Sequence, residues 1–90
     1  MQISVLGATG SIGQSTLDLV RQHPDQFVVR GLTAHRDVQG MLALIQAHRP
    51  ALVAMGDANA AKDLESACRA ARLVDTEILA GEDGLQAVGD

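Results

Sequence analysis

Aromatic side chains are almost missing from this sequence: it has one Phe and neither Trp nor Tyr in 90 residues. A core must therefore be built from Leu, Val, Ile and Ala, and there is no platform for stacking the bases of a single-stranded nucleic acid. Cysteine is as scarce. The lone Cys68 excludes an internal disulfide, and among the alanines of a predicted helix it is expected to be a small buried side chain. Positive charge is thin: seven Lys and Arg stand against eleven Asp and Glu, a formal net charge of −4. That balance argues against a nucleic-acid partner, and Arg30 with Arg36 makes no basic stripe. No apolar run reaches the length of a membrane span. The first apolar segment starts at residue 2, leaving no room for a leader peptide. A cytoplasmic protein with no membrane partner is the expectation.

Reaction machinery is also missing. His23, His35 and His48 are widely spaced, and no Cys or carboxylate cluster accompanies them, so no metal ligand is assigned in this chain. Asp57, Asp63 and Glu65 fit helix starts and helix surfaces, and Glu82 and Asp83 fit a solvated turn. No nucleophile–base pair or paired carboxylates stand out, so no catalytic residue is assigned either.

What is present begins at once. The apolar run Gln2-Ile-Ser-Val-Leu6 breaks into Gly7-Ala-Thr-Gly10-Ser-Ile-Gly13, three glycines at intervals of three, and an amphipathic stretch comes next. A strand, a glycine turn and a helix in that order make a phosphate cradle. Gly7 lets the chain turn off the strand, Gly10 lets backbone approach a pyrophosphate, and Gly13 lets the helix pack close. Free N–H groups at the helix start then face the phosphates, and Thr9 and Ser11 either bond phosphate or cap the helix.

The rest of the chain repeats the strand–helix rhythm. Strands are predicted at 2–6, 27–33, 52–55 and 77–80. Helices are predicted at 14–22, ending at Pro24, then after Asp37 with Val38, Met41, Leu42 and Ile45 on one face, and then with Ala61, Leu64, Cys68 and Ala71 on one face. Residues 81–84 are expected to turn into a further helix. The order βαβαβαβ implies an α/β fold, a Rossmann-like parallel sheet of βαβ units that is incomplete at the C-terminus. Residues 1–90 are expected to be the N-terminal part of a longer dinucleotide-binding domain.

Cofactor choice is written at the tip of the second strand. A carboxylate about 20 positions beyond the glycines would hold the ribose 2′-hydroxyl of NAD. Here the tip is Thr33-Ala34, followed by His35, Arg36 and Asp37. Arg36 can clasp a 2′-phosphate, which favours NADP, and His35 can stack on the adenine edge.

Taken together, Leu6-Gly-Ala-Thr-Gly-Ser-Ile-Gly13, Ser15-Thr-Leu-Asp-Leu-Val20, Pro24-Asp-Gln-Phe27, Leu32-Thr-Ala-His-Arg-Asp-Val38, Pro50 and Gly81-Glu-Asp-Gly-Leu85 resemble the N-terminus of the 1-deoxy-D-xylulose 5-phosphate reductoisomerase family. The resemblance implies an NADPH-dependent reductoisomerase that forms 2-C-methyl-D-erythritol 4-phosphate in non-mevalonate isoprenoid synthesis. It implies a sugar-phosphate substrate, a homodimer, and Mg²⁺ or Mn²⁺ whose ligands lie beyond residue 90. It places the NADPH contacts on Thr9, Gly10, Ser11 and Ile12, and on His35, Arg36 and Asp37. Asp37 departs from the family's asparagine. Its carboxylate would repel a 2′-phosphate unless it turns away to cap the next helix. Two other readings use the same glycine turn, a semialdehyde dehydrogenase type of NADP reductase and a non-catalytic NADP-sensing regulator. A bare structural α/β piece would bind no nucleotide.

Overall fold

Strand-forming and helix-forming stretches alternate strictly along the chain, and the computed structural model shows eight elements over residues 1–89. Asp90, the last residue of the expected domain span, lies outside the described residues. The order is β1 (Gln2–Val5), α1 (Ser11–Gln22), β2 (Val28–Ala34), α2 (Val38–His48), β3 (Leu52–Met55), α3 (Ala58–Ala70), β4 (Glu77–Ala80) and α4 (Gly81–Gly89). The strands form one parallel sheet in the order β1-β2-β3-β4. It is an α/β fold, as the alternation predicts.

Each right-handed crossover moves the same way along the sheet, so α1, α2 and α3 share one face. Their apolar stripes make the main core there. Leu17 and Val20 of α1, Met41, Leu44 and Ile45 of α2, and Leu64 and Cys68 of α3 close over Val5, Leu32, Val53 and Met55. Each large side chain so buried contributes about 1.5–3 kcal/mol. On this face the short apolar strands have no need of aromatic bulk.

The fourth helix lies on the other face. Neighbouring residues of a strand point to opposite sides, and Leu32 faces the main core while Gly31 faces Val88 of α4. Gly84 likewise sits against Leu79 and Ala54. From β4, the chain thus runs back over β3 and β2. Among the described residues, the outer edge of β1 has no strand beside it.

One register slip tunes the core. Ile3 pairs with Val29 but Ser4 pairs with Gly31, so Arg30 is an extra residue in β2. A slip by one residue flips the faces of the positions beyond it. Val29 and Leu32, three apart, therefore both reach the main core.

Several boundaries differ from the sequence expectation. α1 starts at Ser11, not at 14, and takes Gly13 inside the helix. Leu6 is not in β1 and stands exposed, because the chain already turns at Gly7. β2 begins one residue later than expected and runs on to Ala34. Gly81 opens α4 directly, with no separate turn over 81–84. In α3 the expected stripe residue Ala71 is the exposed C-cap, and Leu73 is buried in its place, its N–H bonded to the Cys68 carbonyl at 2.7 Å. No helix among the described residues is long and apolar enough to cross a membrane.

Candidate functional site

The carboxyl ends of parallel strands are where an α/β sheet opens a crevice for ligands. Here those ends bring together the glycine turn after β1, residues 35–37 after β2 and residues 56–57 after β3. Backbone bonds stitch them side by side. Ala8 N–H donates to the Thr33 carbonyl at 2.7 Å, Gly56 N–H to the Ala34 carbonyl at 2.9 Å, and Asp57 N–H to the His35 carbonyl at 2.9 Å.

The glycine turn is shaped by three different constraints. Gly7 adopts φ +62°, a left-handed conformation that suits glycine. Its N–H donates to Thr33 Oγ1 at 3.0 Å. Gly10 bonds the Gly7 carbonyl at 3.0 Å and forms the N-cap of α1. Gly13 is the point of closest packing: a Cβ there would lie 2.7 Å from Ala8 Cα and 2.9 Å from Ala8 C, and closer still to the Gly7 carbonyl oxygen. The turn can therefore lie flat against the start of α1 only while residue 13 has no side chain.

The start of α1 is left open. Gly10 supplies no side-chain cap, and no acidic residue occupies the first turn. Gly10, Ser11 and Ile12 are exposed, with Ile12 at 85 %, and Thr9 is half-buried. The orphan N–H groups of that turn and the positive end of the helix dipole thus face outward. The other two helices of this layer are closed by their own caps. Asp37 Oδ1 accepts from Gly40 N–H at 2.9 Å, and Asp57 Oδ2 accepts from Ala60 N–H at 2.9 Å.

The second expected segment divides. Arg36 is exposed. The His35 ring lies over Gly56, with Nδ1 2.7 Å from where a Cβ would project. Asp37 is turned back as the N-cap of α2, the arrangement under which its charge does not meet a phosphate. Sequence reading missed Thr33, Gly40 and Gly56. Thr33 is the buried polar residue of the site, and its hydroxyl fixes the glycine turn to β2. Among the described residues, no group of three or more His, Cys, Asp or Glu is placed to hold an ion.

Residues 3–90 match the family described as 1-deoxy-D-xylulose 5-phosphate reductoisomerase. The chain is similar to the protein so named from Cupriavidus metallidurans, 48 % identical over 89 residues, covering 99 % of this chain and 22 % of the relative. It is similar in the same way to that from Ectopseudomonas mendocina, 48 % identical over 87 residues, covering 97 % and 22 %. Among solved structures, a DOX-P reductoisomerase in complex with NADPH, fosmidomycin and magnesium matches with a TM-score of 0.92 at 36 % identity, over 98 % of this chain and 21 % of that one. The Zymomonas mobilis 1-deoxy-D-xylulose 5-phosphate reductoisomerase in complex with NADPH matches with a TM-score of 0.87 at 34 % identity, over 97 % and 22 %. The chain spans 22 % of the length of the curated relatives it matches.

Proposed function

The chain belongs to the 1-deoxy-D-xylulose 5-phosphate reductoisomerase family, and on that premise we propose that residues 1–90 are the first part of its NADPH-binding domain. The protein that carries them would convert 1-deoxy-D-xylulose 5-phosphate to 2-C-methyl-D-erythritol 4-phosphate for isoprenoid synthesis, as a cytoplasmic homodimer. The family match sets aside the semialdehyde dehydrogenase reading of the glycine turn.

One observation supports the cofactor assignment above the others. The uncapped first turn of α1, set against a glycine turn pinned to β2, lies beside the strand tip that carries Arg36. These residues fit the group. Thr9, Gly10, Ser11 and Ile12 would hold the pyrophosphate through backbone N–H groups and hydroxyls. Arg36 would take the 2′-phosphate in charge-assisted bonds, and His35 over Gly56 would flank the adenine. When bound, NADPH supplies the hydride for the reduction. The chain's own residues orient it and fix which nucleotide enters. A Mg²⁺ or Mn²⁺ ion of the enzyme would take its ligands from beyond residue 90.

Dissociation constants of NADPH and NADH for the full-length protein test this reading. Arg36→Ala is expected to weaken NADPH by about tenfold or more while leaving NADH nearly unchanged, the loss of hydrogen bonds to a charged group. An unaltered NADPH/NADH ratio in the variant would remove Arg36 from the site.

A further inference from the structure

We propose that Gly40, one turn into α2 and outside the expected cofactor contacts, sets nucleotide preference by positioning Asp37. Without a Cβ, it lets the Asp37 carboxylate fold back onto α2 and so keeps a negative charge off the 2′-phosphate bound by Arg36. The inference rests on the NADPH reading above.

Asp37 is a carboxylate three residues beyond the tip of the second strand, where a negative charge turned toward the cofactor would disfavour a 2′-phosphate. Its next-door neighbour Arg36 has the opposite preference. The two are compatible only if the carboxylate is held elsewhere, and Gly40 N–H holds it at 2.9 Å. The carboxylate also fills the space that a residue-40 side chain would take. A Cβ there would lie 2.9 Å from Asp37 Cγ and 3.1 Å from Oδ1, and in outright collision with Oδ2.

Capping alone does not explain this glycine. Asp57 makes the same bond to the third residue of α3, and that residue is Ala60. The difference lies in how the cap enters. Asp57 is extended, at ψ 124°, whereas Asp37 is drawn in at ψ 86°. In the drawn-in cap of Asp37 the carboxylate stands where a residue-40 Cβ would project. A glycine inside a helix is otherwise unfavourable, so its occurrence at this position fits a demand made by Asp37. With alanine at 40, the Asp37 carboxylate has to leave this position, and on this proposal it moves toward Arg36 and the phosphate.

The experiment compares NADPH and NADH dissociation constants of the full-length wild type with those of Gly40→Ala, Asp37→Asn and the double variant. Gly40→Ala should weaken NADPH relative to NADH by about five- to tenfold, the effect of a like charge brought close at the surface. The double variant should regain the wild-type ratio, because an amide caps as well as a carboxylate but has no charge. Asp37→Asn alone should change the ratio by less than about twofold, since the wild-type charge is already turned away. A Gly40→Ala effect equal on both nucleotides, or one that Asp37→Asn does not rescue, would make Gly40 a purely structural residue. A large gain in NADPH preference from Asp37→Asn alone would overturn the inference without any variant at residue 40. A wild type that binds neither nucleotide would instead overturn the NADPH reading itself, and this inference with it.

Discussion

Gly13 and Gly10 belong to one motif, yet they answer to different demands. A Cβ on Gly13 has no room above Ala8, whereas one on Gly10 meets only the Gly7 carbonyl at 3.4 Å, an ordinary contact. Gly13→Ala should therefore destabilise the fold by about 1–3 kcal/mol, the usual cost of overpacking, measured by urea denaturation. Gly10→Ala should cost at most about 1 kcal/mol yet weaken NADPH, since its methyl group would stand in the phosphate cradle. Equal stability losses in the two variants would contradict this division. The spacing of the three glycines was visible in the sequence. Thr33 was not, because its bond to Gly7 spans 26 residues and no local pattern announces such a contact. Gly40 escaped for a related reason: its need for a missing side chain appears only once the Asp37 carboxylate has a position.

Among the elements, the helices of one layer begin in two ways. α2 and α3 start on aspartate caps, and α1 starts on a glycine without one. Asp57→Ala should lower stability by about 1 kcal/mol in a denaturant titration and leave the NADPH dissociation constant where it was. A loss of cofactor binding as large as the stability loss would show that Asp57 takes part in the site. The aspartate caps were legible, since each stands just ahead of an apolar helical stripe. The first turn of α1 was not. Gly13 looked like the end of a turn because glycine disfavours helix, but tight packing on Ala8 holds it in one. The same bias set the expected start of α4 too late: its first residue, Gly81, has φ +74° and joins helix to strand with no linker.

At the level of the whole molecule, a buried polar atom lies at the end of α2, away from the glycine turn. His48 Nε2, at the end of α2, is buried with no hydrogen-bond partner. Burial, and then the nearby Arg21 charge, lower its pKa below the ordinary 6.5. The unfolded chain thus takes up this proton at a higher pH than the folded one. Stability from neutral His48 is complete above 6.5 and is lost as the pH falls through that value toward the folded pKa. Melting temperatures taken from about pH 7.5 down to about 5.5 should fall more steeply in the wild type than in His48→Gln, and parallel slopes would show that His48 is not the group responsible. The α/β architecture was legible from the alternation of strands and helices alone. The face that α4 covers was not, because the side on which a helix lies depends on where the chain travels next. The unpartnered side of β1 has a consequence for solubility. Its residues Gln-Ile-Ser-Val include no Lys, Glu or Pro to repel a neighbour, and Ile3, Leu19 and Phe27 line an apolar groove beside it. An uncovered strand of that composition is a template for accretion, copy upon copy. A polypeptide laid along this edge would therefore also keep the protein from aggregating.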